Sequence, residues 1–173
     1  VGIYHRMWGA AQHDRATGIH RPLRTTALAF SPIAISTPND SMQILVALDH
    51  CILGSRELDL ILDAITSRVH RIDREQITVV CSHTHAAGLL SLDRKDFPGG
   101  ELIAGYLDVV AKTMADTVEK ALGSIQPATL IYGTGRCNLA ANRDYWDEDR
   151  KQFVCGYNPS EPADDTVVVV RAE

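Results

Sequence analysis

Apolar positions along this chain alternate between extended runs and stretches with a helical period. Thr25 to Ile35 reads as a strand centred on Thr26-Ala27-Leu28-Ala29-Phe30. Pro32 marks a bulge or an edge there, because proline donates no ladder hydrogen bond. Thr37-Pro38-Asn39-Asp40-Ser41 is a turn signal and Gln43 to Leu48 a second strand, so the pair predicts a hairpin. The second strand ends in polar Asp49-His50. Leu58, Ile61, Leu62, Ile65 and Val69 then recur at helical spacing, with Ser55 as the expected N-cap.

Gln76 to Cys81 is a continuous β-branched run that predicts a buried strand. A loop from Ala86 to Gly100 leads to a second helix, Glu101 to Leu122, whose Ile103, Leu107, Val110, Met114, Val118 and Ala121 share a face; Gly123 is suited to end it. Ala128 to Gly133 reads as a strand, Cys137 to Asp149 as a polar, aromatic loop, and Thr166 to Arg171 as a last, buried strand. The order β-β-α-β-α-β-β predicts an α/β domain: a mixed sheet with a hairpin start and two amphipathic helices. Residues 1–173 are expected to form a single domain. A buried strand so near the last residue points to a portion of a larger one. The Gly-, His- and Arg-rich stretch from Val1 to Pro22 lacks a period and predicts an ordered loop, with Tyr4, Trp8 and Ile19 seeking burial.

Composition narrows the function classes. The chain is 45% hydrophobic and 23% charged with net charge −5 in no long run, so a clustered basic footprint for nucleic acid is absent. No apolar stretch reaches membrane-spanning length, and no signal-peptide pattern is present. Cys51, Cys81, Cys137 and Cys155 are widely separated and form no C-x-x-C pair, which argues against a structural zinc ribbon. Cys81 is expected to pack as a small hydrophobe. There is no GxGxxG, P-loop or Gly-x-Ser-x-Gly motif.

The candidate chemistry lies in Ser82-His83-Thr84-His85, directly after the Gln76–Cys81 run. If the chain stays extended for two more residues, His83 and His85 project side by side. Neutral imidazoles there suit a metal, and equally suit two hydrogen-bonded histidines; both readings stay open at this point. A catalytic zinc site generally has three protein ligands, and His20, Asp49 and His50 are the candidates for the third. His70 reads as a solvated helix end. Arg143, among Asn138, Asn142, Tyr145 and Trp146, reads as a surface charge or as the binder of an oxyanion or carboxylate. Tyr145-Trp146 reads as core or lid, and the loop holding Gly9 and Gly18 as an anion-binding candidate.

Three segments together resemble the N-terminal part of the neutral/alkaline, non-lysosomal ceramidase family. They are Gly18-Ile19-His20-Arg21-Pro22-Leu23 leading to Ala27-Leu28-Ala29-Phe30, Val79-Val80-Cys81-Ser82-His83-Thr84-His85, and Asn142-Arg143. The resemblance implies one catalytic zinc and hydrolysis of an N-acyl amide of a ceramide-like lipid or related substrate. It implies His83 as a zinc ligand, His85 as a supporting or substrate-contacting residue, and Arg143 as the group holding the reacting carboxyl or oxyanion. It also implies a secreted or periplasmic protein, with peripheral membrane contact through its substrate. Two departures stand out. Ala86-Ala87-Gly88-Leu89-Leu90 replaces the family's Ser-Gly-Pro-Gly stretch. The family's other ligands, a His, a Glu and a Tyr, belong to later segments. A structural fragment with hydrogen-bonded histidines, and an anion-binding module built on Arg143 and the N-terminal loop, are the alternatives.

Overall fold

The computed structural model describes residues 1–7, 12–33 and 42–173. The chain divides into two compact units, Val1–Ile125 and Gln126–Glu173.

Unit 1 carries a mixed three-stranded sheet in the order β1-β2-β3. Strands β1 (Thr25–Phe30) and β2 (Gln43–Leu48) pair antiparallel, with Thr25 opposite Leu48. Strand β3 (Ile77–Cys81) joins β2 in parallel, with Leu48 opposite Cys81. The predicted hairpin is therefore present. β1 stops at Phe30, so Pro32 lies beyond an edge strand rather than inside one, consistent with its missing donor. The turn expected at Thr37–Ser41 lies outside the described residues, as does Trp8.

β2 alternates in the way a half-buried central strand must. Ile44, Val46 and Leu48 are buried, while Gln43 and Ala47 are exposed. The buried side meets α1 (Ser55–Arg68) through Ile61 and Ile65, and α2 (Ile103–Gly123) through Val110, Met114 and Val118, in one core. Cap positions differ from the expectation by one step: Gly54 is the N-cap of α1 and Ser55 its first residue. Gly123 is the last residue of α2 and Ser124 its C-cap, and a 3₁₀ turn, Gly100–Leu102, precedes the helix. Leu122, not Ala121, completes the buried face. Arg68 of α1 reaches Glu119 of α2 at 2.8 Å and Asp116 at 3.2 Å.

β3 departs from its predicted burial. Only Ile77 is buried, and Val80 is exposed, because β3 is the other edge of the sheet and, among the described residues, one of its faces has no covering layer. In the N-terminal segment Tyr4 is buried and stacks on Phe97 at 4.9 Å between centroids, but Ile19 is 72% exposed, against expectation. Gly99, at φ +87°, lets the backbone approach this segment: an added Cβ would lie 2.9 Å from the Tyr4 nitrogen, and Tyr4 N donates to Gly99 O.

Unit 2 contains an antiparallel ribbon of β4 (Leu130–Arg136) and β7 (Thr166–Ala172), and a hairpin of β5 (Asp144–Asp147) and β6 (Gln152–Cys155). The hairpin falls where an irregular loop was expected, and Trp146 meets Phe153 across it edge to face at 5.1 Å. Every residue of β7 is exposed, so its expected burial is wrong: within unit 2, β7 pairs with β4 alone in a two-stranded ribbon.

Candidate metal centre

The parallel pairing of β2 and β3 brings two chain ends to one place. Ser82 N donates to Leu48 O at 3.0 Å, extending the ladder one residue beyond β3. The residues just after β2 (Asp49, His50, Cys51) and just after β3 (Ser82 to His85) therefore leave the sheet side by side. Two local devices then shape the second segment. His83 adopts φ +57°, the left-handed region that costs a non-glycine residue free energy and that histidine enters more readily than most. Thr84 caps a 3₁₀ turn, His85–Ala87, by accepting from Ala86 N at 3.2 Å, and Gly88 ends it at φ +76°.

The expectation that His83 and His85 project together from a prolonged strand is thus incorrect in mechanism. The strand ends at Cys81 and the backbone turns left-handed at His83. The rings nevertheless meet, 5.4 Å apart between centroids and tilted by 57°.

The third member of the cluster is Cys51. Its Sγ lies 3.9 Å from both ring nitrogens of His83. Cys51, His83 and His85 each offer a ligand atom, all within 4.8 Å of one another, and the three can hold a metal ion. Around a tetrahedral zinc, sulfur and nitrogen ligands are about 3.5 Å apart and two nitrogens about 3.3 Å, from bonds of roughly 2.3 and 2.0–2.1 Å. The observed spacing is within side-chain rotation of that geometry. The donors also fit: one sulfur and two imidazoles is a set seen in catalytic zinc sites, with a fourth position left open. Cys51 is buried at 1% exposure, while both histidines are exposed, so the site opens to solvent on one side. Cys51 carried no sequence signal of its own, being neither in a motif nor near the histidines in the chain.

The residues expected to supply the third ligand are engaged elsewhere. Asp49 Oδ2 accepts from Arg24 N at 3.0 Å, and Asp49 N donates to Arg24 O at 2.9 Å. His50 is fully buried, with Nε2 3.0 Å from the Tyr106 hydroxyl and Nδ1 without a partner among the described residues. Burial pushes its pKa below the ordinary 6.5, opposed by Asp49, which favours the neutral ring. Burial likewise pushes the Tyr106 phenol up. His20 is exposed and lines a cleft. His70 is exposed just past α1, as expected. Cys81, half-buried, has its thiol pKa raised by burial and then by Cys51. All four cysteines are free.

His5 supports the histidine turn from outside. Its Nε2 lies 3.0 Å from Ala86 O, next to His85, and its ring stacks on His13 at 5.9 Å. Glu57, buried at 3% exposure, accepts from Leu92 N at 2.8 Å and ties α1 to the loop that follows the turn. A cleft of about 1160 Å³ runs beside these elements, lined among others by His5, Arg24, Asp49, Thr84, Ala86 and Tyr106.

Arg143 belongs to unit 2, at the start of the β5–β6 hairpin. It is exposed, its guanidinium donates to Cys155 Sγ at 2.9 Å, and its carbonyl accepts from Gly156 N at 2.7 Å. Tyr145 and Trp146 are exposed on the same hairpin rather than in a core. No protein-family model, curated protein or solved structure matches the chain.

Proposed function

We propose that Cys51, His83 and His85 bind one zinc ion and that the centre serves hydrolysis of an N-acyl amide. The convergence of one thiol and two imidazoles within 4.8 Å at the ends of two parallel strands supports the metal, and the ceramidase-like segments support the reaction. A zinc ion held there would lower the pKa of a bound water and polarise an amide carbonyl.

The chain's own residues divide the remaining work. Cys51 anchors the centre from the core side, where burial restricts its side chain. His83 and His85 face solvent and leave room for substrate.

The test is hydrolysis of an N-acyl amide by the protein before and after chelation and on return of zinc. Activity that falls on chelation, returns with zinc and is lost in His83→Ala supports the proposal. Hydrolysis unchanged by chelation and by His83→Ala refutes it.

A further inference from the structure

We propose that the cleft of unit 1 binds a long-chain acyl compound bearing a carboxylate, with Arg21 and Arg24 holding the carboxylate. As the substrate class of the metal centre this names an N-acyl amino acid and rests on the reading above; the binding site itself does not.

Two features of the cleft carry the inference. Its walls include apolar Ile3, Leu90, Leu102, Val109 and Met114, and its volume of about 1160 Å³ accommodates an extended chain. Arg21 and Arg24 supply the only permanently cationic side chains among its described lining residues, with His5 and His20 beside them. Neither Arg21 nor Arg24 holds a carboxylate among the described residues, and both side chains are exposed at the cleft. The one carboxylate of the lining, Asp49, is spent on the Arg24 backbone nitrogen at 3.0 Å. In a chain of net charge −5, two unneutralised guanidinium groups over an apolar cleft are a local reversal of sign. Guanidinium is the side chain best matched to a carboxylate, through paired N–H donors.

Position links the cleft to the metal centre. The reciprocal backbone and side-chain bonds between Arg24 and Asp49 fix Arg24 against the segment that reaches Cys51 two residues later. Thr84 and Ala86, on either side of His85, line the same cleft. A ceramide-like amide has no anionic group for such a pair, so the cleft points to a different amide from the one the family resemblance suggests.

The test is calorimetric titration of the chain, kept metal-free with chelator, with three probes below their micelle-forming concentrations. These are N-dodecanoylglycine, its neutral amide N-dodecanoylglycinamide, and dodecanoate. The acid is expected to bind at least about tenfold tighter than the amide at low salt, a preference that shrinks with added salt. Arg21→Gln/Arg24→Gln, which alters exposed and unpaired side chains, is expected to abolish the preference with the melting temperature unchanged. Tighter binding of N-dodecanoylglycine than of dodecanoate identifies the acylated amino acid as the ligand; the reverse identifies the free fatty acid. Equal affinity for acid and amide, a preference that survives the double variant, or no binding of any probe overturns the inference. Failure of the metal reading has a different signature: zinc does not bind, yet the preference for the acid remains.

Discussion

Sγ of Cys51 lies 3.9 Å from each ring nitrogen of His83, although 32 residues separate them in the chain. The contact exists because Leu48 and Cys81 end two parallel strands in register, and both chains leave the sheet on the same side. The pair thereby gives the candidate site a soft, buried donor beside an exposed imidazole.

Cys51→Ser is expected to weaken zinc binding by at least about a hundredfold, since loss of a ligand exceeds the 10–100-fold cost of losing a group that merely orients one. The fold should survive, because serine is nearly isosteric with cysteine. Competition titration against a chromogenic zinc chelator, with circular dichroism as the folding control, checks both halves. Near wild-type affinity in the variant would remove Cys51 from the ligand set.

Gly88→Ala is expected to destabilise unit 1 by about 1–3 kcal/mol. Gly88 sits at φ +76°, ψ 177°, a region essentially confined to glycine, and an added Cβ would stand 3.3 Å from the His5 Cα. Because Gly88 closes the turn that begins at His85, zinc affinity should fall along with stability. Urea denaturation reads the first effect and chelator competition the second.

Glu57→Ala should cost about 1–3 kcal/mol in urea denaturation, because it strands the Leu92 backbone N–H that Glu57 Oε1 accepts from at 2.8 Å. Glu57→Gln keeps an oxygen acceptor and should recover most of that loss. Equal destabilisation by both variants would assign the effect to the charge rather than to the hydrogen bond.

His50 makes stability depend on pH in a defined direction. Its folded-state pKa is lowered from 6.5 by burial, so the unfolded chain binds this proton more readily. Stability from this residue is therefore complete above about pH 6.5 and declines as pH falls through that value, until the folded-state pKa is reached. The slope is at most about 1.4 kcal/mol per pH unit. Urea denaturation of metal-free protein at several pH values between 7.5 and 5 should show a shallower decline for His50→Gln than for wild type. Identical slopes would mean that His50 is hydrated in solution.

Much of unit 1 was legible in the sequence. Gln43–Leu48 was readable to the residue, because its apolar pattern depends only on which face meets the core. Helix α1 was readable from the spacing of Ile61, Ile65 and Val69. The histidine pair was legible as a candidate, but its geometry was not, since the turn depends on a left-handed backbone at His83 that the sequence does not signal. Cys51 was invisible because its role follows from strand pairing, a long-range fact. The β5–β6 hairpin was missed for a local reason. Its turn, Glu148-Asp149-Arg150-Lys151, lacks the glycine or asparagine of common hairpin turns, and Lys151 itself takes φ +51°. The exposure of β7 was misread because a run of valines reports affinity for burial, whereas burial also needs a layer to provide it.

Native mass spectrometry of the chain with zinc supplied in slight excess tests the central claim most directly. The account predicts one zinc per wild-type chain, retained against mild competition, and loss of that zinc in Cys51→Ser, His83→Ala and His85→Ala alike. Zinc retained at wild-type stoichiometry in all three variants, or absent from the folded wild-type chain, would contradict it.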